Sequence, residues 1–273
     1  MTNLRDSPLG HATTYADAYD PGLLFAVDRA PQRDELGVGA TLPFRGVDVW
    51  NAYELSWLDA AGKPQVAIAT FAVPADSPRI VESKSVKLYL TAFNLARFVS
   101  REAVRGIVAR DLAGATGAPV DVALVPPADF AALPHGELEG EDLDLLDVAC
   151  DGRGPDAALL AAAGPVVAQT LRTRLFRSLC PVTGQPDYAS MQIRYRGPQL
   201  DPAGLLRYLV SFRGHPGFHE HCVERVFADL WTRCRPETLT VYARFTRRGG
   251  VDINPWRTSG GDAPPPNRRT ARQ

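Results

Sequence analysis

Apolar and polar residues alternate along Asp48–Leu58 and Gln65–Val73, the period of strands with one buried face. The period then lengthens, and helices are predicted near Ser83–Asn94 and Arg101–Leu112, followed by strands near Val120–Val125 and Asp142–Val148. The second half repeats the order. Strands are predicted near Thr170–Leu179 and Tyr188–Arg196, helices near Pro202–Phe212 and Gly217–Cys234, and strands near Thr238–Thr246 and Gly250–Asn254. An antiparallel sheet covered by two helices is the natural packing of each such set, so the predicted class is α+β with two modules. The boundary is expected near residues 150–165, giving modules over 1–155 and 156–257. The stretch beyond Thr258, with Gly260-Gly261, three consecutive prolines and Arg268-Arg269, cannot bury a core and is predicted to lack fixed structure.

Composition narrows the class. The 273 residues include 45% hydrophobic and 22% charged side chains with a net charge of −1, which suits two modest domains and provides no global basic field for nucleic acid. No apolar run reaches the length of a membrane span, and the first residues, Met-Thr-Asn-Leu-Arg-Asp, lack the apolar core of a signal peptide, so a cytoplasmic protein is expected. Cys150, Cys180, Cys222 and Cys234 form no Cys-x-x-Cys pair and read as reduced thiols. The acidic run Glu137–Asp144 reads as a solvated face or strand edge, because leucines are interleaved with its carboxylates as on a half-buried strand.

Four stretches carry candidate chemistry. Cys180 ends an alternating run, precedes Pro181 and a Gly/Pro turn, and has Asp187 seven residues on. Proline biases the preceding residue towards extended backbone, which suits either a nucleophile at a strand end or a buried cysteine in an ordinary hairpin. Glu82-Ser-Lys-Ser-Val-Lys-Leu-Tyr89 reads as a helix start with a short hydroxyl near the cap. It is either an anion-favouring terminus or an amphipathic helix with its lysines in water. Thr246-Arg-Arg-Gly-Gly250 is a basic patch, a hairpin turn, or both. His219, His221, Cys222 and Cys234 are competent zinc ligands, but on a helix His219 and His221 point to different faces, and the two cysteines fit apolar positions alongside Val226 and Leu230. No metal site is expected.

These stretches, with Ser7-Pro-Leu-Gly10, Tyr19-Asp-Pro21, Tyr53-Glu-Leu-Ser-Trp57, Tyr208-Leu-Val-Ser-Phe212 and Asp252-Ile-Asn-Pro-Trp256, resemble the NADPH-dependent 7-cyano-7-deazaguanine (preQ0) reductases. This is the QueF family of nitrile reductases, in its long two-module form. The resemblance covers roughly residues 7–100 and 168–257, and it implies tandem tunnelling-fold (T-fold) modules. It implies Cys180 as nucleophile and Asp187 as general acid, with His219 holding or protonating the reacting end. Val81, Glu82, Ser83, Phe218, His219 and Glu220 would line the base pocket, and Ser83, Lys84, Arg248 and Gly249 would meet NADPH. Neither metal nor flavin is implied.

A nicotinamide cofactor invites a search for a Rossmann fingerprint. Gly152-Arg-Gly-Pro-Asp-Ala157 fits formally but has proline in the turn and no acidic residue at the right distance, so phosphates fall to Lys84, Lys87 and Arg248 with backbone donors at a helix start or Gly249. A carboxylate such as Glu220 can accept two hydrogen bonds from an aminopyrimidinone edge. The expected partner is the small molecule preQ0, in queuosine biosynthesis, without direct nucleic-acid or membrane contact, and the expected assembly is a homodimer. Two alternatives stand beside this reading: a thiol-dependent hydrolase or transferase acting on a purine-like nitrile or amidine, and a non-catalytic purine- or pterin-binding T-fold protein.

Overall fold

The computed structural model describes residues 18–39, 41–152 and 154–273. The Ser7–Gly10 stretch lies outside them. Two compact units emerge: the described residues to Pro31 with Asp48–Leu133 and Arg247–Ile253, and Gln32–Val47 with Pro134–Thr246 and Asn254–Gln273. The class is α+β, as the patterning predicts.

In the first unit, strand β1 (Ala26–Asp28) pairs antiparallel with β4 (Arg79–Val81). Most of β2 (Arg45–Leu58), β3 (Pro64–Pro74) and β5 (Asp121–Val125) form a sheet in the order β5-β3-β2. Helix α2 (Ser83–Thr91) follows β4 directly, and α3 (Arg101–Thr116) presents Val104, Val108 and Leu112 at helical spacing to a core containing Trp50, Leu55, Phe71 and Phe93. Ser100 caps α3 through the Ala103 N–H at 3.1 Å. Gly117, at φ +78°, ends it in the left-handed conformation that side chains disfavour. Tyr19 and Tyr89 both donate to Asp111 Oδ2, at 2.5 and 2.8 Å, tying the incoming chain to both helices.

The second unit is built on a long hairpin of β7 (Ala162–Leu179) and β8 (Pro186–Leu200), flanked by β9 (Thr238–Phe245) and the end of β10 (Val251–Thr258). Helix α4 (Pro202–Ser211) packs against β7, and α5 (His219–Cys234) against β9. Asp201 caps α4 through the Ala203 and Gly204 N–H groups, with Pro202 at the first helical position, where no donor is needed. The buried face of α5 carries Val223, Val226, Phe227 and Leu230.

Three expectations differ. The strand expected over Asp142–Val148 is a two-residue β6 (Glu141–Asp142), parallel to β7, followed by a 3₁₀ turn over Leu143–Leu145. Charge explains this. Asp142 accepts from Arg174 at 2.7 Å and Arg172 at 3.2 Å, while Asp144 takes the Arg174 N–H, so the acidic run folds onto arginines of β7 instead of extending. The hydrogen bond from Arg174 also lowers the Asp142 pKa. The division into units likewise departs from a cut at 155/156: the first unit's long stretch ends at Leu133, and the second takes in Gln32–Val47. Residues beyond Thr258, expected to lack structure, are hydrogen-bonded to the second unit, where Arg269 N–H donates to Pro134 C=O at 2.9 Å and Gln273 is buried.

Two buried groups dominate the second unit's electrostatics. Glu224, on α5, accepts from Arg33 at 2.8 and 2.9 Å and from Arg257 at 2.8 and 3.1 Å, with Phe44 beneath both guanidinium groups. Removing one partner of a buried ion pair strands the others, at a cost of about 3–5 kcal/mol. Glu224→Gln should therefore lose stability of that order in urea denaturation, and an unchanged midpoint would contradict the arrangement. His221, also on α5, is buried with Nδ1 unpartnered, and burial pushes its pKa down to about 4 from 6.5. The native state thus needs the neutral ring. Its stabilising effect is complete above about pH 6.5 and is lost as pH falls towards 4, amounting to roughly 3 kcal/mol over that window. His221→Leu should flatten this acid limb in denaturation curves across pH 4–7; an identical limb would assign it to other groups.

Candidate active site

The second unit gathers one set of candidates through a backbone clamp. In the β7–β8 hairpin, Ser178 faces Asp187 and Leu179 faces Pro186. The loop between is closed by Cys180 N–H to Gln185 C=O at 2.9 Å and Gly184 N–H to Cys180 C=O at 3.0 Å. Gly184 sits at φ +68°, a conformation a side chain would strain. The other edge of Leu179 is taken by the segment entering α5: its N–H donates to His215 C=O at 2.9 Å, and its C=O accepts from Gly217 N–H at 3.0 Å. Three residues beyond Leu179's partner at 216, α5 begins. Phe218 stands at its N-cap, and His219 and Glu220 open its first turn.

His219 Nε2 lies 3.4 Å from Asp187 Oδ2, and the imidazole stacks on Phe245 with ring centroids 3.8 Å apart and planes 8° from parallel. Asp187 and Glu220 are both buried, at 4% and 3% exposure. Cys180 is 8% exposed at the base of its turn, while Cys150 is the exposed thiol. Cys222 is fully covered, and burial pushes its pKa up to about 12, which leaves it a thiol at neutral pH and a poor nucleophile. Among the described residues no three His, Cys, Asp or Glu side chains converge as metal ligands.

The first unit gathers the other set. Val81 ends β4 and Glu82 is held by its N–H to Phe25 C=O at 2.9 Å. The α2 cap is the Glu82 carboxylate itself, which accepts from Lys84 N–H at 2.7 Å and Ser85 N–H at 2.8 Å, and not the hydroxyl expected there. Ser85 instead braces the strand side, receiving the Phe25 N–H at 3.0 Å and donating to Glu82 C=O at 2.6 Å. Two of the helix-start donors proposed for phosphate are thus already bonded. Each carboxylate oxygen keeps a second lone pair, so Glu82 remains able to accept from a base.

Arg248 and Val251 close a two-residue hairpin turn in which Gly249 and Gly250 adopt φ +58° and +79°, the positive pair such turns require. A Cβ on Gly249 would approach the Lys87 side chain to 3.3 Å, so backbone and lysine lie side by side in a cradle that a larger residue would crowd. Tyr53 N–H donates to Gly250 C=O at 2.9 Å, Arg247 lies over the Tyr53 ring, and buried Asp252 accepts from Tyr53 and Asn51. Lys87, Arg248 and a compact glycine turn fit a phosphate group. The basic patch and the hairpin turn are one and the same. Patterning missed Phe245 as the platform under His219, since it reads only as a core position of β9, and missed the Tyr53–Asp252 anchor, whose partners lie far apart in sequence.

Family models match both halves: the N-terminal model described as nitrile reductase, 7-cyano-7-deazaguanine reductase, over residues 15–124, and that of QueF-like proteins over 186–263. The NADPH-dependent 7-cyano-7-deazaguanine reductase of Bordetella parapertussis is 58% identical over 272 residues, spanning 99% of this chain and all of that protein. The reductase of the same name from Burkholderia vietnamiensis is 58% identical over 273 residues with the same coverage. A solved apo archaeosine synthase QueF-like structure aligns with 37% of this chain and 99% of its own at TM-score 0.32 and 19% identity. With relatives this similar over their full length, the chain belongs to the 7-cyano-7-deazaguanine reductase family of nitrile reductases.

Proposed function

We propose that this protein reduces the nitrile of preQ0 to the aminomethyl group of preQ1, consuming two NADPH, as a step of queuosine biosynthesis. The observation that carries the reading is the clamp at Leu179, which sets Cys180, the Asp187–His219 pair and Glu220 around the end of one hairpin.

A nitrile carbon is a weak electrophile, and hydride does not readily attack it. Addition of the Cys180 thiol gives a thioimide: the S–C bond forms, the S–H bond and one C–N π bond break, the sulfur's proton passes to the Asp187–His219 pair, and the nitrogen takes a proton in return. Asp187 is the donor, buried and turned towards His219, whose ring holds the carboxyl in place and can pass on a replacement proton. Glu220 accepts from the base edge and Phe218 packs against the base, and Val81, Glu82 and Ser83 are assigned to base binding by the family resemblance. Lys84, Ser83, Arg248 and Gly249 hold the cofactor. When bound, NADPH would supply one hydride to the thioimide carbon and, from a second molecule, one to the imine left after the sulfur departs as the regenerated thiol, with one proton taken up at each reduction. The residues around Cys180 exclude water, which would otherwise hydrolyse that imine to the aldehyde. We further assign the protein to the cytoplasm as a homodimer that acts on the free base, with no nucleic-acid contact of its own. The exposed edges of T-fold sheets favour such pairing.

Purified protein should oxidise NADPH only when preQ0 is added, with two NADPH consumed for each preQ1 formed, and Cys180→Ala should show no turnover. Release of an amide or carboxylate without NADPH oxidation would instead identify a thiol hydrolase, and binding without any reaction a non-catalytic binder. Lys84→Ala and Arg248→Ala should each raise the KM for NADPH more than that for preQ0, by an amount equivalent to roughly 1–3 kcal/mol for a charge-assisted phosphate contact. Unchanged NADPH saturation in both variants would move the phosphates elsewhere.

A further inference from the structure

His219 has an unusual support. Its Nδ1 is buried with no hydrogen-bond partner, although a second bond at the far nitrogen is the common way to fix an imidazole. Among the described residues, the 3.4 Å approach to Asp187 and the face-to-face stack on Phe245 are the polar and ring contacts that orient it. The position of Phe245 therefore sets the position of His219.

Phe245 is the last residue of β9, paired with Ala189 two residues beyond Asp187, and its carbonyl points away from that ladder to the chain's final described residue. Gln273, 6% exposed, donates from Nε2 to Phe245 C=O at 2.9 Å and to Asn254 Oδ1 at 2.8 Å. Its Oε1 accepts from Arg244 Nε at 2.8 Å and Thr270 N–H at 3.1 Å. Arg244, itself 2% exposed, is further held by Tyr242 and Asn267. All four hydrogen-bonding sites of one carboxamide are thus occupied by Thr270, the last two residues of β9 and Asn254. A segment whose composition predicts no structure ends in a buried bracket on the strand that carries the histidine's platform.

We propose that Gln273 is a positioning residue for the reaction, fixing Phe245 and through it the His219–Asp187 pair. This deepens the reductase reading and rests on it. Glutamate at 273 would keep the acceptor for Arg244 and Thr270, so the tail stays docked, but would set a carboxylate oxygen against the Phe245 carbonyl. The loss should fall on kcat.

The test compares wild type, Gln273→Glu, Gln273→Ala and Arg272→Ala by steady-state kinetics, melting temperature and the ring-proton NMR shifts of His219. Arg272 belongs to the same tail but bonds Arg174 C=O and Ser190, away from Phe245. Both Gln273 variants should lose roughly 10–100-fold in kcat, the scale of a small misplacement in an active site. The KM for NADPH should stay within about twofold, because the residues proposed to hold the cofactor are unchanged. The upfield His219 shifts caused by the Phe245 face should shrink, and Arg272→Ala should behave as wild type. Wild-type kcat and unchanged His219 shifts in Gln273→Glu would overturn the inference, as would an equal loss in Arg272→Ala. If wild type fails to reduce preQ0, the functional reading fails, and the His219 shifts still decide whether Gln273 positions the ring.

Discussion

The two hydrogen bonds on the outer edge of Leu179 are the constraint on which the candidate chemistry depends. One strand end is bonded on one side to its hairpin partner and on the other to the segment that starts α5. A cysteine loop and a helix N-terminus more than 30 positions apart in sequence are thereby held in fixed register. Because the bonds are backbone to backbone, that register does not rely on the reacting side chains, which are left to their chemistry.

Burial then assigns roles to similar groups. Cys222 and His221 lie on α5 behind the site, where burial holds one as a thiol and the other as a neutral ring. Asp187 and His219 approach each other to 3.4 Å at the end of the hairpin. Charge is treated the same way in both units. Buried carboxylates either sit between arginines, as Glu224 does, or accept from neutral donors, as Asp252 does from Tyr53 and Asn51, so neither is left uncompensated. The Asp252 bonds also anchor the glycine turn proposed to meet the cofactor phosphates.

The hydrophobic periods locate the strands and helices that carry the site, because each is long enough to show its period. They fail where side chains overrule periodicity. The acidic run Glu137–Asp144 interleaves leucines with carboxylates as a half-buried strand would, yet Arg172 and Arg174 draw its carboxylates into a turn. The tail past Thr258 has the composition of a flexible segment but is held by the side chains of Asn267, Arg272 and Gln273 and a few backbone bonds, which composition does not register. Cys180, Asp187 and His219 are singled out by local chemistry and family resemblance. The Phe245 platform is not, because a buried phenylalanine in a strand carries no mark of what rests on it. Glu82 reads as a pocket carboxylate, and its second task as helix cap appears only when the Lys84 and Ser85 N–H groups are seen to point at it.

The account stands on Cys180 as the atom that attacks the nitrile, and intact mass spectrometry after incubation with preQ0 alone tests this most directly. Without NADPH the thioimide should accumulate, so wild type and Cys222→Ala should each gain the mass of one preQ0 while Cys180→Ala gains none. An adduct that persists in Cys180→Ala and disappears in Cys222→Ala would contradict the account.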